Sequence, residues 1–336
     1  MDIENKFELI KRGTEEIINE KELREILGKK NPVAYIGYAP TGKLHVGHLI
    51  PLLKVGEFLK AGFKFKFLIA NLHAHLDDRK SPWELLNSRS EYYQEMVQAV
   101  FDSLKIDTSN LQFVRGSDFQ TNSEYVLDVL RMSSLVTFNR VRRSASEVVR
   151  FGDEPKLGGF IYPLMQIMDC VSLDVDVALG GIDQRGIYML GRELLPDLGH
   201  KKPSFVFTPL LPGLTGKKMS ASDPSSKIDL LDSKKDVEDK VKKAYCKEGD
   251  KKDNGVLAFC EYFIFPYKGN LKIERPEKFG GNIEYLKYDD LEKDYIKKKL
   301  HPADLKKAVS IEINNILEPI RKTFEKKKNL IKEAYP

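Results

Sequence analysis

Apolar positions recur at helical spacing between residues 6 and 27, where Phe7, Ile10, Ile17, Ile18, Leu23, Ile26 and Leu27 stand among charges. One or two amphipathic helices are expected there. Asn31-Pro32 ends them, and residues 33–37 form a short apolar run of the kind that makes a strand buried on both faces. A Pro40-Thr41-Gly42 turn follows, then an apolar-periodic helix over 46–60 that Ala61-Gly62 stops, because glycine accepts the backbone conformation that closes a helix. Residues 64–70 read as the next strand. Strand, turn, helix and strand in this order make a βαβ unit, which implies a parallel sheet with ligands at the carboxyl ends of its strands.

Downstream, Ser81-Pro82-Trp83-Glu84 predicts a helix start with Ser81 as cap, Pro82 at the first helical position and Glu84 closing a capping box. The buried stripe of that helix would be Leu85, Leu86, Tyr93, Met96, Val97, Val100 and Leu104. Further strands are expected at 111–114, 175–178 and 204–207, and helices at 123–150, 161–171 and 182–195. The β/α alternation stops near Ile228, and lysine-rich helical sequence runs from there onward. The pattern therefore predicts an N-terminal helical segment over 1–30, an α/β catalytic domain with a Rossmann-like parallel sheet over 31–228, and an α-helical domain over 229–336.

The 336 residues are 41% hydrophobic and 31% charged, as in soluble proteins with a substantial core. The net charge of +5 is uneven, with Lys234-Lys235, Lys242-Lys243, Lys251-Lys252, Lys297 to Lys299, Lys306-Lys307 and Lys326 to Lys328 all after Asp229. Such crowding suits a polyanionic partner; a solvated Glu/Lys helical surface accounts for it equally well. Cys170, Cys246 and Cys260 form no CxxC pair, so neither a structural zinc site nor a disulfide framework is expected. Residues 1–11 lack the pattern of a leader, and no apolar run reaches the ~18 residues that cross a bilayer. A cytoplasmic protein with no membrane partner is the expectation.

The first βα turn, Gly37-Tyr38-Ala39-Pro40-Thr41-Gly42-Lys43-Leu44, nearly spells a phosphate-binding P-loop. Leu44 stands where that motif needs a hydroxyl for magnesium, and Pro40 removes an amide from the anion cradle. His45-Val46-Gly47-His48 comes next, at a helix start. Imidazoles three apart share a face, Gly47 admits a ligand close to the backbone, and the helix terminus favours a triphosphate. Two histidines without a third ligand make a weak zinc site, and two surface histidines would give the same letters. Far downstream, Pro212-Gly213-Leu214-Thr215-Gly216-Lys217-Lys218-Met219-Ser220-Ala221-Ser222 reads as a glycine-hinged loop carrying Lys218 with the hydroxyls of Ser220 and Ser222. Alone it would pass for an ordinary polar loop. Donors that close on a leaving pyrophosphate act mainly on the transition state.

Together HVGH and KMSAS resemble the two signature motifs of class I aminoacyl-tRNA synthetases. The chain from about Phe7 to Lys322 is similar to tyrosyl-tRNA synthetases of the branch shared by archaea and the eukaryotic cytosol. The most specific pieces are Tyr35-Ile36-Gly37, the run Tyr162 to Asp169, Gly180-Gly181-Ile182-Asp183-Gln184-Arg185, Pro276 to Asn282, and His301 to Lys306. The resemblance implies that Tyr35 and Asp169 hold the hydroxyl of L-tyrosine, and that Tyr162, Gln166 and Gln184 hold its ammonium group. It implies further that Gly37, His45, Gly47, His48, Asp183 and Lys218 bind ATP. His45, His48, Lys218, Ser220 and Ser222 would carry the chemistry. A buried acid such as Asp169 demands a donor, so a pocket built for a phenol rejects phenylalanine, the behaviour for which tyrosyl synthetases are themselves the standard illustration.

The same resemblance implies an insertion at about 117–159 that forms a homodimer interface and meets the tRNA acceptor end, with Arg143 as a contact. Phe279 and Asp304 would read the anticodon, by stacking and by a base-edge hydrogen bond. ATP as substrate with Mg2+, and tRNA(Tyr) rather than DNA as the nucleic acid, complete the expectation; no protein-held metal is expected. Three positions depart from the pattern: Ala221 replaces the second lysine of the signature loop, Gly186 stands where relatives often carry lysine, and Asn71 where aspartate is frequent.

Overall fold

The computed structural model describes residues 1–149, 151–216 and 224–336. Strands β1 (Glu16–Ile18), β2 (Val33–Tyr38), β3 (Lys64–Ile69), β4 (Leu111–Arg115), β5 (Val177–Gly181) and β6 (Ser204–Thr208) form one sheet in the order β1-β6-β5-β2-β3-β4. Every neighbouring pair is parallel except β1 with β6. From β2 the chain moves outward to β3 and β4, then returns to lay β5 on the other side of β2. The switch point between β2 and β5 opens a crevice at the strands' carboxyl ends, where sheets of this type bind ligands.

The helices of this half are α1 (Ile3–Lys11), α2 (Glu20–Leu27), α3 (Leu49–Lys60), α4 (Asn71–Leu76), α5 (Leu86–Ser103), α6 (Ser123–Leu135), α7 (Phe138–Ala145), α8 (Gly158–Ser172) and α9 (Arg185–Asp197). After β6 come α10 (Lys234–Lys243), α11 (Gly255–Phe259), α12 (Phe265–Lys268), the antiparallel pair β7 (Leu271–Ile273) and β8 (Ile283–Tyr285), α13 (Tyr288–Ile296), α14 (Pro302–Glu325) and α15 (Lys328–Ala334). One buried cluster runs from Phe7 through α3, α5 and one sheet face to Leu317, Phe324 and Ala334. The hydrophobic core is thus continuous across residue 228. A second cluster joins α6 to α9, and a third, around Tyr35, Ala178 and Phe205, lies against the other face of the sheet. No helix among the described residues is long and apolar enough to cross a membrane.

Four local expectations need correction. Ile17 and Ile18 belong to β1, which pairs with β6, rather than to a helix; three residues are too few to show alternation, and an open sheet edge supplied the partner. Ser81 does not cap. Its amide donates to the Ala74 carbonyl, its hydroxyl is buried without a hydrogen-bond partner among the described residues, and Trp83–Leu85 forms a 3-10 turn before α5 begins. The helical stretch expected over 123–150 is divided into α6 and α7 at Val136 and Thr137, which are both extended. The strand expected over 175–178 lies at Val177–Gly181, and just before it the Asp176 carboxylate accepts from the Val33 amide at 3.0 Å and from Lys29 at 2.6 Å. There the carboxylate adds to the backbone bonds of Asp176, whose amide donates to the Val33 carbonyl and whose carbonyl accepts from the Ser204 amide, each at 2.9 Å.

A polar cleft at the sheet switch point

A cleft of about 410 Å³ opens at the carboxyl ends of β2, β5 and β6. Tyr35, Gly37, His45, Gly47, His48, Tyr162, Gln166, Asp169, Asp183 and Gln184 all line it. Lys218, Ser220 and Ser222 lie outside the described residues. Arg143 and Phe279 are exposed and Asp304 half-buried; none of the three lines the cleft. Phe279 presents its ring on a 3-10 turn with the Lys278 ammonium 5.0 Å from its centroid. Asp304 sits in the first turn of α14.

At one end of the cleft, His45 precedes a 3-10 turn, Val46–His48, that leads into α3. Its Nδ1 accepts from the Gly47 amide at 3.2 Å, while its own amide meets His48 Nδ1 at 3.2 Å. The two imidazoles therefore cap the turn reciprocally, and amides that a triphosphate could have used are already engaged. Accepting at Nδ1 puts the remaining proton on Nε2. Burial, then the neighbouring His48 and Lys227, pushes His45 down to about 2; burial pushes His48 down to about 4. Both rings are neutral donors at physiological pH, suited to phosphate oxygens without a fixed charge. The strand-like bridge between His45 and Asp229, with Val46 donating to Ile228, anchors this turn to the chain beyond the signature loop.

At the other end, α8 presents Tyr162, Gln166 and Asp169 on one face, as their spacing of four and three requires. Gln166 Nε2 donates to Gln184 Oε1 at 2.8 Å. Gly180 and Gly181 permit this closeness: a Cβ on Gly181 would stand 2.7 Å from Asp183 Oδ1, and one on Gly180 would stand 3.3 Å from Gln184 Cβ. Asp169 is 1% exposed, and its Oδ1 accepts from Gln120 Nε2 at 2.7 Å and from the Tyr125 hydroxyl at 2.9 Å. Burial raises its carboxyl to about 7 although both donors pull the other way. Tyr35, equally buried, shares a hydrogen bond of 2.9 Å with the hydroxyl of Tyr188.

Sequence reasoning missed Gln120, Tyr125, Tyr188 and His73. A buried acid announces that donors must exist, but nothing in the periodicity says which residues supply them. His73 is 1% exposed, lines the cleft, and its Nε2 lies 3.7 Å from Asp169 Oδ2 without a hydrogen-bond partner among the described residues. That distance is a contact rather than an ion pair, because burial pushes the imidazole down to about 4. An unpaired buried polar atom costs about 1–3 kcal/mol. Asn71 uses both halves of its amide: Nδ2 donates to Ser117 Oγ at 3.0 Å, and Oδ1 accepts from the Ser117 amide at 2.9 Å. Aspartate in its place would reverse the first bond, its carboxylate accepting from the Ser117 hydroxyl.

The family described as tRNA synthetases class I (W and Y) matches residues 28–318. A tyrosine–tRNA ligase of Haloarcula marismortui is 47% identical over 340 residues, covering 100% of this chain and 98% of its own. A cytoplasmic tyrosine–tRNA ligase of Danio rerio is 44% identical over 99% of this chain and 63% of its own. The crystal structure of a tyrosyl-tRNA synthetase from Archaeoglobus fulgidus, complexed with L-tyrosine, superposes with a TM-score of 0.90 at 43% identity, over 96% of this chain and 99% of that one.

Proposed function

We infer the reaction from one premise: the chain belongs to the class I tRNA synthetases of the tryptophan and tyrosine group. Within that group it is a tyrosine–tRNA ligase. Such an enzyme joins tyrosine to ATP as tyrosyl-adenylate with release of pyrophosphate, then passes the tyrosyl group to the terminal adenosine of tRNA(Tyr). The carboxylate of tyrosine is already ionised and attacks the α-phosphate itself. The protein's part is positioning and charge stabilisation.

Roles follow the two ends of the cleft. The Asp169 end would take the phenol, with Tyr35 beside it; Tyr162, Gln166 and Gln184 would take the ammonium group; Asp183 would hold the ribose. Neutral Nε2–H donors of His45 and His48 would meet phosphate oxygens above the Gly47 backbone. Lys218, with Ser220 and Ser222, would close on the leaving pyrophosphate. Magnesium would arrive on the nucleotide, whose phosphates would supply most of its protein-independent ligands.

The helix α6 supports a homodimer. Leu127 and Leu130, each 58% exposed and three apart on α6, share an apolar face, and Phe138, 54% exposed, opens α7. A second copy of this chain would cover that face, Arg143 near it would meet the acceptor end of tRNA, and the region over 229–336, through Phe279 and Asp304, would meet the anticodon. The cytoplasm is the proposed location.

One observation carries the substrate choice: a buried carboxylate that lines the cleft and, among the described residues, takes its hydrogen bonds on Oδ1, leaving Oδ2 for a ligand. An indole or a phenyl ring would offer it no hydroxyl. The test is exchange of pyrophosphate into ATP, measured with each of the twenty amino acids in turn. Exchange with tyrosine is the expected result. Exchange with tryptophan and none with tyrosine would end this reading.

A further inference from the structure

His73, at the far wall of the cleft, has no part in the reaction as set out above, yet its surroundings assign it one. Gln120 directs its side-chain amide at two acceptors: Nε2 lies 2.7 Å from Asp169 Oδ1 and 3.4 Å from His73 Nδ1. An amide nitrogen carries two hydrogens, one for each. With Nδ1 as acceptor, the imidazole proton sits on Nε2. That Nε2 is buried, lines the cleft through its own residue, and has no hydrogen-bond partner among the described residues. Its nearest acid atom is Asp169 Oδ2, at 3.7 Å, the oxygen that Gln120 and Tyr125 leave unoccupied. The ring itself cannot turn away freely, since it stands edge-on to Tyr162 at 4.6 Å between centroids and 90°.

A donor and an acceptor 3.7 Å apart leave a place where one oxygen can stand about 2.8 Å from each. A phenolic hydroxyl matches that place completely, because it donates one hydrogen and accepts through its lone pairs. We propose that His73 is a specificity-determining residue whose Nε2–H donates to the phenolic oxygen of bound tyrosine while that hydroxyl donates to Asp169 Oδ2. The substrate would then cancel an unpaired imidazole nitrogen as well as an open carboxylate oxygen. Phenylalanine would leave both unpaired. The inference rests on the tyrosine reading of this cleft and adds to it a third residue for the hydroxyl.

The experiment uses the full chain and pyrophosphate exchange with tyrosine and with phenylalanine. His73→Phe keeps an edge-on ring against Tyr162 and removes the nitrogen; His73→Gln returns an amide N–H near the position of Nε2. The expected result for His73→Phe is a rise of about tenfold in KM for tyrosine, a similar fall in the preference for tyrosine over phenylalanine, and an unchanged KM for ATP. His73→Gln should recover most of both losses. The proposal is overturned if His73→Phe alters tyrosine and phenylalanine equally, or alters neither.

Should His73→Phe fail to fold, the parent protein still decides. The imidazole 15N resonances of His73 are followed as tyrosine or phenylalanine is added. Movement of Nε2 with tyrosine alone supports the contact, and identical behaviour with both ligands refutes it. If the parent itself exchanges pyrophosphate with no tyrosine dependence, the fault lies in the tyrosine reading. If the parent is tyrosine-dependent and the variant is indifferent, only the role of His73 falls.

Discussion

The hydroxyl of Tyr125 on α6 and the carboxylate of Asp169 on α8 lie 2.9 Å apart, wholly inside the protein. The same helix that turns Tyr125 inward exposes Leu127 and Leu130 outward. The acid that would read the substrate hydroxyl is therefore held by the helix that offers the apolar face. A partner covering that face would also steady the end of the cleft that holds Asp169.

Removing the charge of Asp169 should cost recognition of tyrosine and little else. For Asp169→Asn we expect kcat/KM for tyrosine to fall by about tenfold to a hundredfold, the worth of a charge-assisted hydrogen bond. Phenylalanine should be affected far less, and KM for ATP not at all. Parallel exchange assays with the two amino acids measure this; an equal loss for both would show a collapsed pocket.

The raised carboxyl of Asp169 predicts a pH dependence. Below about 7 the ligand-free protein holds this acid protonated, and tyrosine loses its acceptor. Its kcat/KM should fall as pH is lowered through about 7 and level off above, with that limb absent in Asp169→Asn. Stability has the opposite slope. The folded group binds a proton between its ordinary value of 3.8 and about 7, so its contribution is full below 3.8 and is lost as pH rises to about 7. Denaturant titrations at about pH 5 and pH 8 should show Asp169→Asn gaining stability over the parent at the higher pH.

Lys218→Ala should separate chemistry from binding. A group that acts on the leaving pyrophosphate lowers the rate of adenylate formation without changing tyrosine affinity. Single-turnover kinetics should show a loss of at least about tenfold in the rate, with the tyrosine dissociation constant unchanged. Loss of tyrosine binding with the rate intact would remove Lys218 from the proposed role.

Gly186 has a steric reason to differ from the lysine frequent in relatives. A Cβ there would stand 2.4 Å from the Ser144 carbonyl oxygen, at the contact of α7 with α9. Gly186→Ala should destabilise the protein by about 1–3 kcal/mol, the usual cost of overpacking. Equilibrium denaturation measures it, and a neutral result would mean α7 shifts freely.

A charge on the exposed face of α6 should dissociate the proposed dimer. Leu130→Asp is expected to sediment as a monomer and to lose aminoacylation, while far-UV circular dichroism stays as in the parent. A parent that sediments as a monomer at every concentration tried would refute the assignment of this face.

Local patterns showed much of this fold. The βαβ unit from Val33 to Ile69, the α8 face bearing Tyr162, Gln166 and Asp169, and the turn at His45 to His48 all obey short-range rules of period and spacing. Those rules depend on neighbours a few residues apart, so letters in order suffice. The three-residue strand β1 and the corner at Val136 were hidden, because each is decided by what another segment offers.

What the amino-acid order determined, then, is which elements form and which residues share a helix face, since backbone geometry alone converts spacing into direction. Tertiary structure alone decided that Gln120, Tyr125 and His73 gather around Asp169, from separations of 49, 44 and 96 positions along the chain, the last being 169 minus 73. A buried carboxylate must find donors, but any polar residue that folding brings near can serve. Only the packed chain selects which.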